Sequence, residues 1–347
     1  MTKGGLRMRV GKLGTWLICA GAMAAFGSLA GNYVWTSRWP STLDAAPTES
    51  VKIAAVAYIG SCPILMAKEN GYLASEGIAA EVNFQANGKV ALAEALQGRA
   101  DLATAADTPI MFAAMNDQPV SVIAAMTAME DHAIVGRKDR GIISPSSLKG
   151  KRLGVTMGTT TQFFLDAFLN RQQFTPTDIT LVDMLPQKLA ETLARGDIDA
   201  VVLYQPFLNM AAAALKDKAT VLSGEGVYDA LFALAGTRDY VSAHQPTLEK
   251  VLRATIRGAQ FCKESPDLAR EVLAKAMNTD AVVLKAIWPS YRFEVGLRQG
   301  LLLTLEDEAR WAIKNRLTDK TKVPNYLDHL GLAPLRAAAP SAVTVIH

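Results

Sequence analysis

The sequence has few of the residues that usually carry metal, nucleotide or disulfide chemistry. Its 347 residues include only three cysteines, Cys19, Cys62 and Cys262, a spacing that forms neither a CxxC metal motif nor a disulfide framework. Four histidines are scattered without metal-ligand spacing, and no Walker A, GxGxxG or GxSxG motif is present. These absences predict a protein that is not an enzyme and holds no metal or cofactor. They leave open whether Cys62 and Cys262 are bridged in an oxidising compartment.

The net charge is also small outside the N-terminus. The net charge is +3, and the N-terminal stretch contains Lys3, Arg7, Arg9 and Lys12 without an acidic residue, so the remainder is close to neutral. A near-neutral body has no general electrostatic attraction for nucleic acid. The sequence therefore predicts no nucleic-acid partner.

Residues 1–40 have the order of an export segment. A basic stretch is followed by an uncharged run from Gly14 to Ser37. Positive charge before an apolar core keeps the N-terminus inside and sends the following chain across the membrane. Small residues from Ser28 to Ala30 resemble a signal-peptidase site, whereas the run also approaches the roughly 20 residues that span a bilayer. We therefore predict a signal peptide or an N-terminal membrane anchor, and a periplasmic or extracytoplasmic protein, free or anchored to the inner membrane.

Apolar runs that fit buried strands alternate with helical patterns from Val51 onward. One such series ends at Met126 and a second at Leu222, and the chain after Leu231 is mostly helical. This alternation predicts an α/β fold with mostly parallel, doubly wound sheets. The clearest helical patterns are Thr160–Arg171, Phe207–Leu215 and Pro266–Met277. Residues 336–347 have no periodicity and are predicted to form a disordered tail.

The loops that follow the strands are the expected ligand-binding elements. In open α/β sheets, ligands bind beyond the carboxyl ends of the strands, and a cleft between two lobes is the usual pocket. The candidate ligand contacts are residues of these loops: Tyr58, Gly60, Ser61, Cys62, Asn87, Asp107, Thr108, Thr159, Thr160, Thr161, Gln162, Tyr204 and Gln205. Local roles compete with this interpretation, because Asn87, Asp107 and Thr108 are good helix N-caps and the other threonines suit hydroxyl caps. His132 is interpreted as a surface or internally satisfied residue.

Several short motifs between residues 50 and 335 have the order and spacing of one family. They are PILMAKENGYL at 63–73, ALAEALQGRADLA at 91–103, SLKGKRLGV at 147–155, GDIDA at 196–200 and PNYLDHL at 324–330. With these motifs the chain resembles the nitrate, sulfonate, taurine and thiamine-precursor (NMT1-like) solute-binding proteins of ABC importers.

The resemblance implies a two-lobed periplasmic-binding-protein fold of type II, in which each lobe is a mostly parallel sheet flanked by helices and a helical C-terminal tail follows. Lobe 1 would contain residues 50–137 and 239–335, and lobe 2 residues 141–232. The chain would cross between the lobes near Lys138–Gly141 and Ala233–Arg238, the expected hinge. The implied partners are a small-molecule ligand, an ABC permease and its ATPase, and the inner membrane if the N-terminal segment is not removed.

The ligand is less well determined than the fold. Hydroxyls, amides and helix N-termini favour an oxyanion, so an alkanesulfonate, taurine or nitrate is the first expectation. No arginine is evident in the candidate loops, which weakens the case for a strongly charged, bidentate anion. Tyr58, Tyr204 and Asp107 would instead suit a planar nitrogen heterocycle such as a thiamine-related pyrimidine. A ligand-sensing domain and a pyrimidine-synthase-like enzyme are the remaining alternatives, and the chain lacks the cysteine-rich motif of the latter.

Overall fold

The computed structural model describes residues 49–346, so the predicted export segment at residues 1–40 lies outside the described residues. The strands are β1 Glu49–Val56, β2 Ile78–Gln85, β3 Leu102–Ala106, β4 Val120–Met129, β5 His132–Arg137, β6 Arg152–Val155, β7 Thr180–Asp183, β8 Ala200–Tyr204, β9 Ala219–Ser223, β10 Ala230–Thr237 and β11 Tyr291–Gly296. The helices are α1 Cys62–Glu69, α2 Tyr72–Ser75, α3 Gly88–Leu96, α4 Asp107–Met115, α5 Thr160–Arg171, α6 Pro186–Arg195, α7 Phe207–Leu215, α8 Arg238–Ala243, α9 Gln245–Glu264, α10 Pro266–Met277, α11 Ala281–Ile287, α12 Gln299–Lys314 and α13 Leu332–Ala338. Over this range, none of the helices combines the length and the apolar character that crossing a membrane requires.

Two sheets form the framework of the two lobes. Lobe 1 has the six-stranded order β11-β4-β10-β3-β1-β2, and lobe 2 has the five-stranded order β7-β6-β8-β5-β9. Strand β1 pairs in parallel with β2 and β3, and β6 pairs in parallel with β7 and β8. The α/β fold is therefore confirmed.

The sheets are mixed rather than mostly parallel, which corrects the sequence-based expectation. Strand β10 lies antiparallel between β3 and β4, and β5 lies antiparallel between β8 and β9. Both are the first strands after the chain has crossed from one lobe to the other. They start at the boundary between the lobes, where the parallel strands end, so they run in the opposite direction.

The crossings between the lobes lie at different positions from those predicted. Only Glu130 and Asp131 separate β4 from β5, and residues 224–229 join β9 to β10. The predicted crossings near Lys138–Gly141 and Ala233–Arg238 were wrong, because β5 pairs in the second sheet and β10 in the first. Lobe 1 therefore ends before β5, and lobe 2 ends before β10. A short apolar strand without alternation cannot be distinguished from other buried segments by its pattern alone.

The C-terminal region is ordered where disorder was predicted for residues 336–347. Helix α13 extends to Ala338, and the following chain is tied to Leu297 by two backbone hydrogen bonds, one with Ala342 and one with Thr344, each 2.9 Å long. Val345 is buried. The prediction of a disordered tail was wrong through Ile346, because this segment finds its hydrogen-bond partners in a distant strand end rather than in a local repeat.

Helices α1 and α9 pack directly against each other and are covalently joined. A disulfide links Cys62 at the start of α1 to Cys262 in α9, with Cα atoms 6.4 Å apart. Gly258 lies at the same contact, where a side-chain carbon would overlap the carbonyl oxygen of Pro63 and approach the backbone nitrogen of Ala67 to 2.9 Å. The bridge that the sequence left open is thus present, and it fixes the helix that follows the first cleft loop.

Candidate functional site

A cavity of about 800 Å³ lies where the strand ends of the two sheets face each other. Lobe 1 contributes the end of β1, the loop before α3 and the start of α4, and lobe 2 contributes the loops after β6, β7 and β8. The segment between α10 and α11 closes a further side. This position, beyond the carboxyl ends of the parallel strands, is the expected ligand site of an open α/β sheet.

The first turns of five helices line this cavity. The helices are α3, α4, α5, α6 and α7. Their lining residues include, in that order, Lys89, Pro109, Thr160, Pro186 and Phe207. The N–H groups in a first helical turn have no acceptor within the helix, and the helix dipole places partial positive charge there. The cavity is therefore electrostatically suited to an anion although it contains little formal charge.

The start of α5 presents the largest group of free polar atoms. Thr160 and Thr161 are 7% and 3% exposed, line the cavity, and have no side-chain hydrogen bond to any residue in the described range. Thr159 is already used locally, because its hydroxyl donates to the carbonyl of Thr156 at 2.7 Å. The side chain of Gln162 turns back and accepts from the N–H of Gly158 at 2.7 Å, which fixes the loop. Two hydroxyls are thus left to face a ligand.

The start of α3 lies at the cavity in lobe 1 and carries a positively charged side chain, that of Lys89. Asn87 caps the helix by accepting from the N–H of Val90 at 3.0 Å, and Lys89 lines the cavity. Asp183 of lobe 2 also lines it, and this carboxylate accepts from the N–H of Met157 at 3.0 Å. The formal charges that line the cavity are therefore few and of both signs.

A hydrogen-bonded cluster at the crossing between the lobes lies beside His132, which is part of the cavity wall. The buried carboxylate of Asp131 accepts from the hydroxyls of Tyr58 and of Tyr291, the latter at 2.7 Å, and its other oxygen lies 3.0 Å from Nδ1 of His132. Burial by itself raises the pKa of Asp131, but His132 and the two hydroxyls outweigh burial and hold its pKa below the ordinary value. His132 lines the cavity, and no described residue bonds to its Nε2.

Aromatic rings and methionines form a large part of the remaining cavity wall. The ring of Tyr58 packs edge-on against Tyr204 and Phe232, with centroids 5.7 and 5.4 Å away, and Tyr204 packs in the same way on Phe207 at 5.5 Å. Five of the 12 methionines of the chain also line the cavity. Apolar surface therefore surrounds the polar groups at the helix starts.

Comparison with known proteins assigns the family. Residues 59–269, more than half of the chain, match the sequence model of a family described as NMT1/THI5 like. The chain belongs to the NMT1/THI5-like family. The match spans the loops of both lobes that line the cavity, so the resemblance stated from short motifs is confirmed.

Relatives of this NMT1/THI5-like protein are named as binding proteins. The putative binding protein YtlA of Bacillus subtilis is 24% identical over 80% of this chain and 86% of its own length. A putative aliphatic sulfonates-binding protein of the same species is 23% identical over 65% and 69%. The taurine-binding periplasmic protein of Escherichia coli is 24% identical over 49% of this chain and 53% of its own length.

Solved structures share the two-lobed fold. The periplasmic aliphatic sulphonate binding protein SsuA from Escherichia coli has a TM-score of 0.71 at 17% identity, over 84% of this chain and 99% of its own. The desulfurization enzyme DSZB has a TM-score of 0.63 at 14% identity, also over 84% and 99%. The periplasmic-binding-protein fold is therefore shared by binding proteins and by an enzyme.

The structure separates the predicted contacts of the NMT1/THI5-like protein into two groups. Six of the thirteen candidates line the cavity: Tyr58, Asn87, Thr159, Thr160, Thr161 and Tyr204. The other seven do not line it: Gly60, Ser61, Cys62, Asp107, Thr108, Gln162 and Gln205. We propose ligand contact only for members of the first group.

Each residue of the second group is engaged elsewhere. Cys62 is in the disulfide, Ser61 contacts the hydroxyl of Thr104 at 3.2 Å, and Gly60 permits the close approach of Phe232. The amide nitrogen of Gln205 donates to the side chain of Asn209 at 3.1 Å. Gln162 braces the loop before α5, as described above, and Asp107 and Thr108 belong to an internal acidic cluster. These partners explain why the position after a strand end was not sufficient to predict exposure to the cleft.

His132, Phe232 and the five cavity methionines are among the cavity residues that the sequence did not reveal. His132 begins β5, and its interpretation as a surface or satisfied residue missed its place in the cavity wall. Met184 and Phe207 also follow strand ends, but neither was among the candidate contacts. The same positional rule could have found these two if it had been applied to apolar side chains.

Two carboxyl groups share a buried space beneath the start of α4. The carboxylate of Asp107 accepts from the N–H groups of Thr108 and Leu231 at 2.9 and 2.8 Å, and Glu308 accepts from the hydroxyls of Thr108 and of Tyr228, the latter at 3.2 Å. Burial raises the pKa of Asp107 to about 6, and burial together with the charge of Asp107 raises the pKa of Glu308 well above its ordinary range.

We expect this pair to make the protein less stable as the pH rises from about 4 to 7. An acid with a raised pKa in the folded state favours folding only while it is protonated, so stability is full below the unfolded pKa and falls as the pH passes through the folded pKa. For Asp107 the fall is on the order of 3 kcal/mol, because one pKa unit corresponds to about 1.4 kcal/mol. Glu308 adds a loss of the same sign at higher pH.

Denaturant unfolding between pH 4 and 8 measures this effect. A Glu308→Gln variant should show a shallower decline than the wild type, because the amide cannot ionise. Asp307→Asn on the same helix, whose side chain pairs with Arg310 at the surface, is the matched control and should parallel the wild type. Parallel profiles for wild type and Glu308→Gln would show that Glu308 does not titrate in this range.

Proposed function

We propose that this protein is the extracytoplasmic solute-binding component of an ABC importer and that it captures a small organic anion of the sulfonate type. The observation that carries the proposal is the convergence of five helix starts, with the free hydroxyls of Thr160 and Thr161, on one cavity between two lobes. Family membership and relatives named for sulfonates and taurine support the ligand class.

The anionic oxygens would be held by N–H and O–H donors rather than by a bidentate arginine. Several preorganised donors spread the negative charge of a sulfonate without requiring a compensating full charge. Lys89 supplies the nearby positive charge, and Nε2 of His132 is a further polar contact. Thr160 belongs to lobe 2 and Lys89 to lobe 1, so one ligand can bridge both lobes.

Ligand binding would favour closure around the two short crossings. Asp131 lies within the first crossing and also contacts Tyr58 and His132, so the cavity wall and the connection between the lobes share one hydrogen-bonded cluster. A ligand that contacts both lobes binds the closed form better than the open form and shifts the population toward it. The closed protein would then be recognised by the permease at the outer side of the membrane, and the ATPase of the importer would act from the other side.

Catalysis is not part of this proposal, although the fold also occurs in an enzyme. Among residues 49–346 no group of histidine, cysteine and acidic side chains could hold a metal ion, and the cysteines of that range are joined in the disulfide. A thiamine-related pyrimidine remains the second ligand class, because Tyr58 and Tyr204 present ring faces and edges in the same cavity.

A thermal-shift screen of the exported protein with alkanesulfonates, taurine, nitrate and thiamine-related pyrimidines tests the proposal. A ligand of the native state stabilises it by about 2.7 kcal/mol at a hundredfold excess over Kd, which raises the melting temperature. A shift with sulfonates supports the proposal, and a shift with pyrimidines alone would assign the second class. No shift with any of these, in protein freed of carried-over ligand, would overturn both.

We expect Thr160→Ala to weaken ligand binding about fivefold without changing the fold, because a typical hydrogen bond contributes about 1 kcal/mol. Thr160→Ser retains the hydroxyl and should bind like the wild type. Gln205→Ala removes a side chain that does not line the cavity and serves as a second control. Equal affinities for Thr160→Ala and Thr160→Ser, measured by calorimetry, would remove this hydroxyl from the site.

A further inference from the structure

One part of the cavity wall is apolar, exposed and unexplained by the needs of folding. Met184, Leu185 and Pro186 at the start of α6, with Phe207 and Met210 at the start of α7, all line the cavity. We call these five residues the α6–α7 wall. Leu185 and Met210 are 60% and 56% exposed, whereas Leu189 and Leu208 on the same two helices are buried in the core of lobe 2.

This wall is separate in the chain from the polar side chains that suit an anion. Those side chains come from the starts of α3 and α5, with His132 at the crossing, whereas α6 and α7 contribute only the partial positive charge of their first turns. Helices α6 and α7 pack against each other, so the wall is a continuous extension of the lobe 2 core into the cavity. The site thus contains a polar part and an apolar part built by different elements.

The cavity is also larger than a small anion such as nitrate requires. A volume of about 800 Å³ lies in the upper part of the ~300–1,000 Å³ range of pockets for drug-sized ligands. Nitrate or a two-carbon sulfonate would fill the polar part and leave the α6–α7 wall in water. Methionine side chains are flexible and polarisable, so a wall that contains Met184 and Met210 can adapt to rings and chains of different shape.

We infer that the cleft takes an organic anion with a bulky apolar body, an aryl or medium-chain alkyl group, which covers the α6–α7 wall while the anionic group lies at the starts of α3 and α5. This inference rests on the proposed function and narrows its ligand class. It makes taurine, nitrate and the shortest alkanesulfonates weak ligands of this protein.

Calorimetric titration of the exported protein with ethanesulfonate, butanesulfonate, octanesulfonate and naphthalene-2-sulfonate tests the inference. Affinity should rise about three- to fourfold for each added methylene group, so that octanesulfonate binds more than a hundredfold better than ethanesulfonate. Naphthalene-2-sulfonate should bind in the range of the longer alkyl chains, and its uncharged counterpart 2-naphthol should bind more weakly than the sulfonate.

A pair of variants distinguishes lost contact between the ligand and the α6–α7 wall from a general effect on the fold. Met210→Ala should lower the affinity for octanesulfonate about tenfold and leave that for ethanesulfonate unchanged, because it removes the equivalent of about two methylene groups of contact. Met210 is largely exposed, so the fold does not depend on it. Leu268→Ala on α10, where the side chain is 55% exposed and does not line the cavity, is the matched control and should change neither affinity.

The outcomes distinguish this inference from the proposed function. Affinity that is flat or falls with chain length would overturn the inference and leave a sulfonate-binding protein. Equal loss with Met210→Ala for short and long sulfonates would likewise remove the α6–α7 wall from ligand recognition. Binding of 2-naphthol without binding of any sulfonate would overturn the anionic ligand of the proposed function and, with it, this inference, and binding of no compound would overturn both.

Discussion

Removal of the Cys62–Cys262 disulfide should lower the free energy of unfolding by about 5 kcal/mol. The two cysteines are 200 residues apart in sequence, so the bridge closes a very long loop in the unfolded chain. The entropy that a crosslink removes from the unfolded state increases with the logarithm of loop length, which places this bridge at the upper end of the usual range. Few single contacts in a protein contribute as much.

Denaturant unfolding with and without a reductant measures this contribution. The oxidised wild type should unfold at a higher denaturant concentration than the reduced protein. A Cys62→Ala/Cys262→Ala double variant should resemble the reduced protein and should not respond to the reductant, which controls for effects of the reagent. Coincident curves for oxidised and reduced wild type would show that the bridge does not stabilise the fold.

The same bridge has a consequence for the ligand site. Cys62 follows the turn that begins at Tyr58, and Tyr58 both lines the cavity and donates to Asp131. The disulfide anchors the end of this turn to α9, which is otherwise distant in the chain. We therefore expect reduction to loosen the cavity wall of lobe 1 before it unfolds lobe 2.

Gly258→Ala should destabilise the protein by about 3 kcal/mol or more, although the same change usually stabilises a helix by about 1 kcal/mol. The added carbon would overlap the carbonyl oxygen of Pro63, which belongs to the backbone and cannot rotate away. Helices α1 and α9 would have to separate, and the disulfide between them opposes that movement.

Gly300→Ala provides the matched control for this prediction. Gly300 lies in helix α12, has no positive φ, and a side-chain carbon there would have no neighbour within 4 Å. This substitution should be neutral or stabilise by up to about 1 kcal/mol. Both variants are compared with the wild type by thermal and denaturant unfolding. A Gly258→Ala variant as stable as Gly300→Ala would show that α1 and α9 can move apart without loss of packing.

Local pattern predicted much of the fold. Helices α5, α7 and α10 begin and end where periodicity and capping signals place them, at Thr160–Arg171, Phe207–Leu215 and Pro266–Met277. The rule that ligand sites lie beyond the carboxyl ends of parallel strands brought Tyr58, Asn87, Tyr204 and the threonines of α5 to one cavity. These inferences need only the spacing of apolar residues and the order of strands and helices along the chain, and both can be read locally from the sequence.

The tertiary structure decided which of these polar groups are free. Asp107 turns inward because Leu231, 124 residues away, donates to its carboxylate, and Cys62 is closed off by Cys262. His132 reaches the cavity through a strand that pairs with β8 and β9 and is braced by its neighbour Asp131, which also accepts from Tyr291. The periodicity of apolar residues indicates that one face of a helix or strand is buried. It does not record which distant residue supplies the partner, and that partner determines whether a side chain serves the core or the ligand.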